Sequence, residues 1–233
     1  MTTYACAHAV TPEGLVDDVA IEVDDGIISS VTRGLPVGPD VVDLGDVTVV
    51  PGFVDMHVHG GGSYSFSEGP QAATKAAAFH LQHGTTSLLA SLASASLDDL
   101  AEQTVQLRPL VDAGVLAGLH LEGPFLNECR RGAHNPVLLM DPDVDWLLSV
   151  LGNGVKMVTL APELEGGLDS IRAITAAGVV AALGHSDATY EQAVEAIEAG
   201  VRGGTHLFNG RRPPHHREPG AVRAIKRAPR APV

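Results

Sequence analysis

Cysteine is scarce in this 233-residue chain, with Cys6 and Cys129 the only two. They supply neither a disulfide framework nor a cysteine-rich zinc pattern, so a reducing cytoplasm is the expected setting. Aromatic residues are thin as well, at 4%. The core must therefore be filled by Ala, Val and Leu with Gly between them, as in helix-covered parallel sheets. Positive charge is short: 15 Lys and Arg stand against 28 Asp and Glu, a net charge of −13. That balance disfavours nucleic-acid and anionic-membrane partners, and any anionic substrate must meet a local patch of positive charge. No apolar run reaches the length of a membrane span, and the N-terminus lacks a basic stretch followed by an apolar leader core. No sequence repeat is visible. What the chain does have is length for one large domain or a domain plus a small appendage. It also has 11 histidines, several of them directly after apolar or Gly-rich runs.

Short apolar runs at 4–10, 19–23, 27–31 and 41–44 are separated by turn residues, Asp25-Gly26 being a hairpin signal. Residues 1–48 read as a small, sandwich-like β-domain. From residue 49 the pattern changes to strand, loop, helix, strand. Strands are expected at 49–59, 85–92, 115–122, 155–161, 179–185 and 201–207, with helices at 70–83, 97–113, 141–151, 168–177 and 190–199. About six βα units with short connections predict an α/β fold, a parallel sheet with its helices outside, over residues 49–220. A closed eight-stranded barrel needs two more strand–helix units than these. Residues 221–233 are basic and Pro-containing and read as an atypical tail, either a disordered extension or the sign of a lost reading frame.

The run VVPGFVDMHVHGGG, residues 49–62, reads as a buried strand that delivers two imidazoles. Side chains alternate across a strand, so His57 and His59 leave its C-terminal end on one face, the end at which parallel barrels keep their chemistry. Three further strands each deliver a metal-competent residue at the same end: Glu122, His185 and His206. A carboxylate with two histidines is a catalytic zinc set that leaves one position open, and His57 with His59 gives room for a second ion. Hydrolysis of an amide or ester is the use that fits. His120 lies one alternation deeper than Glu122 and reads as a supporting or packing residue, and Cys129 as an ordinary loop thiol.

Taken together, PGFVDMHVHGGG, GLHLEGPFLN, GAHNP, LGHSDA, THLFN and HHREPG resemble the N-acetylglucosamine-6-phosphate deacetylase family of the metal-dependent amidohydrolases. The likeness covers nearly the whole chain but only about the first six strands of the family's (β/α)8 TIM-type barrel. It implies that Glu122, His185 and His206 hold the main divalent metal, most simply Zn²⁺, and that His57 and His59 are the second-metal pair. It implies that His134 contacts the substrate beside the scissile acetamide. Asn209, the Gly210 backbone, His216 and Arg217 then match the sugar-phosphate region, where the family's arginine reaches into the neighbouring subunit of a homodimer. The implied reaction converts N-acetylglucosamine 6-phosphate to glucosamine 6-phosphate and acetate. Gly210-Arg211 departs from the family's usual Ala-Met, and the family's acid–base aspartate stands on an eighth strand. Two other readings stay open: an amidohydrolase for a different amide, and a non-catalytic remnant without that aspartate.

Overall fold

The computed structural model describes residues 1–227 and divides the chain into two compact units, Met1–Phe53 and Val54 onward. In the first unit, β1 (Thr2–Thr11), β2 (Gly14–Asp24) and β3 (Ile27–Arg33) form an antiparallel meander. The short strands β4 (Val41–Asp43) and β5 (Thr48–Val49) add to β1 in parallel. Asp25-Gly26, both with positive φ, makes the expected turn between β2 and β3. The result is one five-stranded sheet rather than two facing ones. Cys6, Ala9 and Val19 bury together, with Val16, Ile21 and Val49 packed against them.

The second unit is built on β6 (Phe53–Val58), β9 (Thr85–Ala93), β10 (Gly118–Glu122), β11 (Val155–Leu160), β12 (Val180–Leu183) and β13 (Gly203–Gly204), hydrogen-bonded in that spatial order. Pairings from β9 through β13 are parallel. A two-stranded hairpin, β7 (Gly60–Gly61) and β8 (Tyr64–Ser65), interrupts the first crossover. The crossover helices are α1 (Pro70–Gln82), α2 (Leu97–Asp112), α3 (Val144–Leu151), α4 (Gly167–Ala176) and α5 (Tyr190–Ala199). Three of them start at side-chain caps: Ser96 accepts from the Asp99 N–H before α2, Asp143 from the Trp146 N–H before α3, and Thr189 and Gln192 form a capping box before α5.

Alternation divides the sheet chemically. Leu88, Leu92, Leu119, Leu121, Val158, Leu160 and Leu183 join the apolar core, together with Leu100, Leu147 and Ile171 of the helices. The intervening positions Ser91, His120, Glu122 and Thr159 are buried polar residues on the other face. The polar face is the one that carries the site.

Three expectations need correction. The strand expected at 49–59 is broken by Pro51-Gly52: Thr48–Val49 pairs with β1, and only Phe53–Val58 belongs to the large sheet. It is also less buried than expected, with Phe53 60% and Val54 71% exposed, because β6 is the last strand of its sheet among the described residues. The sixth strand is cut from 201–207 to Gly203–Gly204, because the chain turns immediately afterwards. Residues 220–227 form a helix, α6 (Gly220–Arg227), rather than a disordered tail. Ala221, Val222 and Ala224 recur at helical spacing and bury, while Lys226 and Arg227 complement the negative end of the helix. The rest of the expected tail, 228–233, lies outside the described residues.

Candidate active site

Glu122 closes β10 and is 2% exposed. Its Oε1 lies 3.1 Å from His185 Nε2 and 3.0 Å from His206 Nε2. Its Oε2 lies 2.8 Å from His59 Nε2 and 3.3 Å from His57 Nε2. Three strand ends, far apart in sequence, thus bring four imidazoles to the two oxygens of the carboxylate that closes a fourth.

The far nitrogens of two rings are already committed. His59 Nδ1–H donates to the Ser91 carbonyl at 3.0 Å, and His185 Nδ1–H donates to the Arg130 carbonyl at 2.9 Å. A neutral imidazole with its proton on Nδ1 presents a lone pair at Nε2. Lone pairs aimed at a carboxylate repel it unless a proton or a cation lies between. The donors therefore fit a divalent ion, and the nitrogen-plus-carboxylate set suits Zn²⁺. Two groups have ligand atoms within 4.8 Å of one another, His57–Glu122–His206 and Glu122–His134–His185. Glu122 is common to both, so the residues have room for one ion or two.

Electrostatics follow from this crowding. Burial alone would raise the Glu122 carboxyl, but its bonds to His185, His57 and His59 hold it well below the usual carboxylate range. The same pairing raises His59 against the opposing effect of burial. Burial lowers His134 and His206, with Glu122 pulling the other way, and it pushes the fully buried His120 down to about 3. His120 is therefore neutral at any ordinary pH.

His185 (φ 47°) and His206 (φ 52°) leave their strands in the left-handed region, which costs a residue other than glycine on the order of 1 kcal/mol. His185 is held from another loop, the Asn127 N–H donating to its carbonyl at 2.9 Å, and His206 within its own turn, the Asn209 N–H donating to its carbonyl at 2.7 Å. Strain of this kind concentrates at functional positions.

The donors open into a cleft of ≈ 810 Å³ that His134, Asn209 and Gly210 also line. His134 Nδ1 is hydrogen-bonded to Ser94 Oγ at 2.8 Å, and its Nε2 lies 3.7 Å from Glu122 Oε2. His216 and Arg217 are elsewhere: both are exposed and neither lines the cleft.

Several supporting residues were not evident in the sequence. Asp187 accepts from Arg130 at 2.8 Å and from Arg212 at 2.6 Å, and Arg212 also reaches Glu218 at 2.6 Å. These bonds tie three loops around His185. Their only sequence signal is a set of opposite charges on separate loops. Arg211, the departure noted after Asn209, is 5% exposed, and its Nη2 donates to the carbonyls of Leu183 and Thr205. Burial lowers it to about 10, so it stays charged at neutral pH.

The model of the amidohydrolase family matches residues 48–225. An N-acetylglucosamine-6-phosphate deacetylase of Lysinibacillus sphaericus is 33% identical over 228 residues, covering 93% of this chain and 58% of that protein. An N-acetylgalactosamine-6-phosphate deacetylase of Shewanella sp. (strain ANA-3) is 35% identical, with 94% and 58% covered. Among solved structures, the N-acetyl-D-glucosamine-6-phosphate deacetylase of Mycobacterium smegmatis superimposes with a TM-score of 0.92 at 44% identity, over 96% of this chain and 60% of that one. The chain thus spans 58% of the length of these curated relatives.

Proposed function

The chain belongs to the amidohydrolase family, and on that footing we propose that it carries the metal site and acyl pocket of an amino-sugar 6-phosphate deacetylase. The reaction is hydrolysis of N-acetylglucosamine 6-phosphate to glucosamine 6-phosphate and acetate. The observation that carries the reading is the meeting of four imidazole Nε2 atoms on the two oxygens of Glu122, inside a cleft also lined by His134 and Asn209.

Zn²⁺, as one ion or two, would be held by Glu122, His185 and His206, with His57 and His59 as the second pair. A divalent ion there supplies Lewis acidity, polarising a carbonyl and acidifying water near neutral pH. The protein's own groups supply the rest. The Ser91 and Arg130 carbonyls fix the rings of His59 and His185. His134, fixed by Ser94 and kept neutral by burial, is placed to hydrogen-bond the acetamide oxygen as charge develops on it. Asn209 and the Gly210 backbone bind the sugar. His216 and Arg217, on an exposed loop, supply the positive charge for the phosphate, with Arg217 reaching into the second subunit of a homodimer. By its resemblance the protein works in cytoplasmic amino-sugar catabolism, and its two free thiols are in keeping with that compartment.

The Shewanella relative acts on the galacto epimer, so the sugar's 4-hydroxyl is the feature on which a second reading differs. The test measures release of free amine from both epimers with added Zn²⁺. The chain is assayed beside a version extended in frame by two strand–helix units. Turnover of either 6-phosphate by either version supports the reading. If both versions bind Zn²⁺ and neither releases amine, the substrate assignment is wrong.

A further inference from the structure

Beneath the converging donors lies a second set of contacts that reaches no ligand atom directly. The Val58 N–H donates to Ser91 Oγ at 3.1 Å. Ser91 Oγ is bonded to His120 Nδ1 at 2.8 Å, and His120 Nε2 to Thr159 Oγ1 at 2.8 Å. Thr159 Oγ1 is bonded in turn to Thr205 Oγ1 at 2.7 Å. The four side chains are 2%, 0%, 0% and 6% exposed. The chain of bonds runs from β6 through β9, β10 and β11 to the residue after β13, passing over β12. It can cross there because β12 is followed by Gly184: a Cβ on that residue would stand 2.6 Å from Thr159 Cγ2 and 2.8 Å from Thr205 Cβ.

Each link adjoins a donor of the site above. Val58 lies between His57 and His59, and the carbonyl of Ser91 takes the Nδ1–H of His59. His120 shares a strand face with Glu122, and Thr205 immediately precedes His206. The interior of a parallel barrel is ordinarily filled by branched apolar side chains. Apolar packing there would bury the same space without the risk of unsatisfied polar atoms, but it tolerates small slips between strands. Hydrogen bonds are directional and do not.

We propose that His120 is a positioning residue for the metal site: with Ser91, Thr159 and Thr205 it locks the strand ends in register, so that the carboxylate of Glu122 meets the imidazoles of His57, His59 and His206 at one place. The inference rests on the metal reading given under the proposed function.

The decisive comparison is Thr159→Val against Thr159→Ser. Valine keeps the branched shape and removes the hydroxyl, whereas serine keeps the hydroxyl and removes the methyl. A packing role makes serine the more damaging change. The positioning role makes valine the more damaging change at the metal: Zn²⁺ affinity falls roughly 10- to 100-fold, as for loss of other outer-sphere partners, and the visible absorption of the Co²⁺ form changes. Thr159→Ser should bind and absorb like the unaltered protein. Ser91→Ala, which removes only one hydroxyl, should repeat the valine result and covers the case in which Thr159→Val fails to fold. Unchanged affinity and an unchanged Co²⁺ spectrum in Thr159→Val and Ser91→Ala overturn the positioning role alone. An unaltered chain that binds neither Zn²⁺ nor Co²⁺ overturns the metal reading, and this inference with it.

Discussion

The cluster of donors at the strand ends and the loop that follows β13 (Gly203–Gly204) reach their positions by different means. His57, Glu122, His185 and His206 stand on, or within two residues of, strands whose neighbours are hydrogen-bonded, so a displacement of one strand end is resisted by the whole sheet. The loop residues His216 and Arg217 have no such support and are exposed. Of that loop, Asn209 and Gly210 face the cleft, and Arg211 and Arg212 are held by carbonyls and carboxylates. Metal geometry must hold to about 0.2 Å, and under the proposed function that task falls to the sheet. Grip on a phosphate tolerates more, and under the same reading it falls to the loop.

The comparison breaks most sharply at Glu122. Glu122→Gln removes the one charge on which four imidazoles converge. Zn²⁺ affinity should fall by more than about 100-fold, beyond what the loss of an outer partner costs, as read by competition with a chromophoric chelator. Affinity that stays near the original value would mean that the imidazoles alone make the site.

Acid should act next, and on the same cluster. Metal must displace protons from the rings, so affinity drops about tenfold per pH unit for each imidazole that is protonated below its pKa. His59 is raised above 6.5 by Glu122. It holds its proton longer, and affinity should go on climbing above that pH. Glu122 is held low and stays ionised throughout, so its own contribution to stability is lost only as pH falls through and below the usual carboxylate range. Affinity that is flat from acid to neutral pH would remove the imidazoles from the ligand set. Gly184→Ala is smaller again. A methyl there meets Thr159 Cγ2 at 2.6 Å and Thr205 Cβ at 2.8 Å. Overpacking of this kind costs about 1–3 kcal/mol, which thermal unfolding of the metal-free protein would register. An unchanged midpoint would show that the sheet yields more readily than its hydrogen bonds suggest.

How much of this was legible in the sequence follows the same division. Alternation along β-formers is a local property, so the faces of β10 (Gly118–Glu122) and the register of His57 with His59 could be read without a structure. The break at Pro51-Gly52 is also written locally, but the apolar run across it masked the handover from one sheet to the other. Ser91, Thr159 and Thr205 look like ordinary strand residues in sequence. Their meaning comes from which strands lie side by side, and at one point from a glycine on the strand between them. The left-handed turns at His185 and His206 had no signal either, because nothing in a histidine announces positive φ. Helix α6 (Gly220–Arg227) was hidden by its charge: three basic residues in eight read as a solvated tail, although Ala221, Val222 and Ala224 carry helical spacing.

Arg217→Ala is the mildest change and sharpens the comparison from the loop side. The side chain is exposed, so its removal should alter stability by no more than about 0.5 kcal/mol. Nothing in the donor cluster depends on it, and Zn²⁺ affinity should stay as it was. A charge-assisted bond to phosphate is worth about 1.5–3 kcal/mol, so KM for the 6-phosphate should rise about tenfold or more. Turnover of N-acetylglucosamine without the phosphate should be unaffected, because that substrate never used the arginine. Equal loss on both substrates would mean that Arg217 acts on the cleft itself, and the separation between a sheet-borne metal site and a loop-borne phosphate grip would fail at that residue.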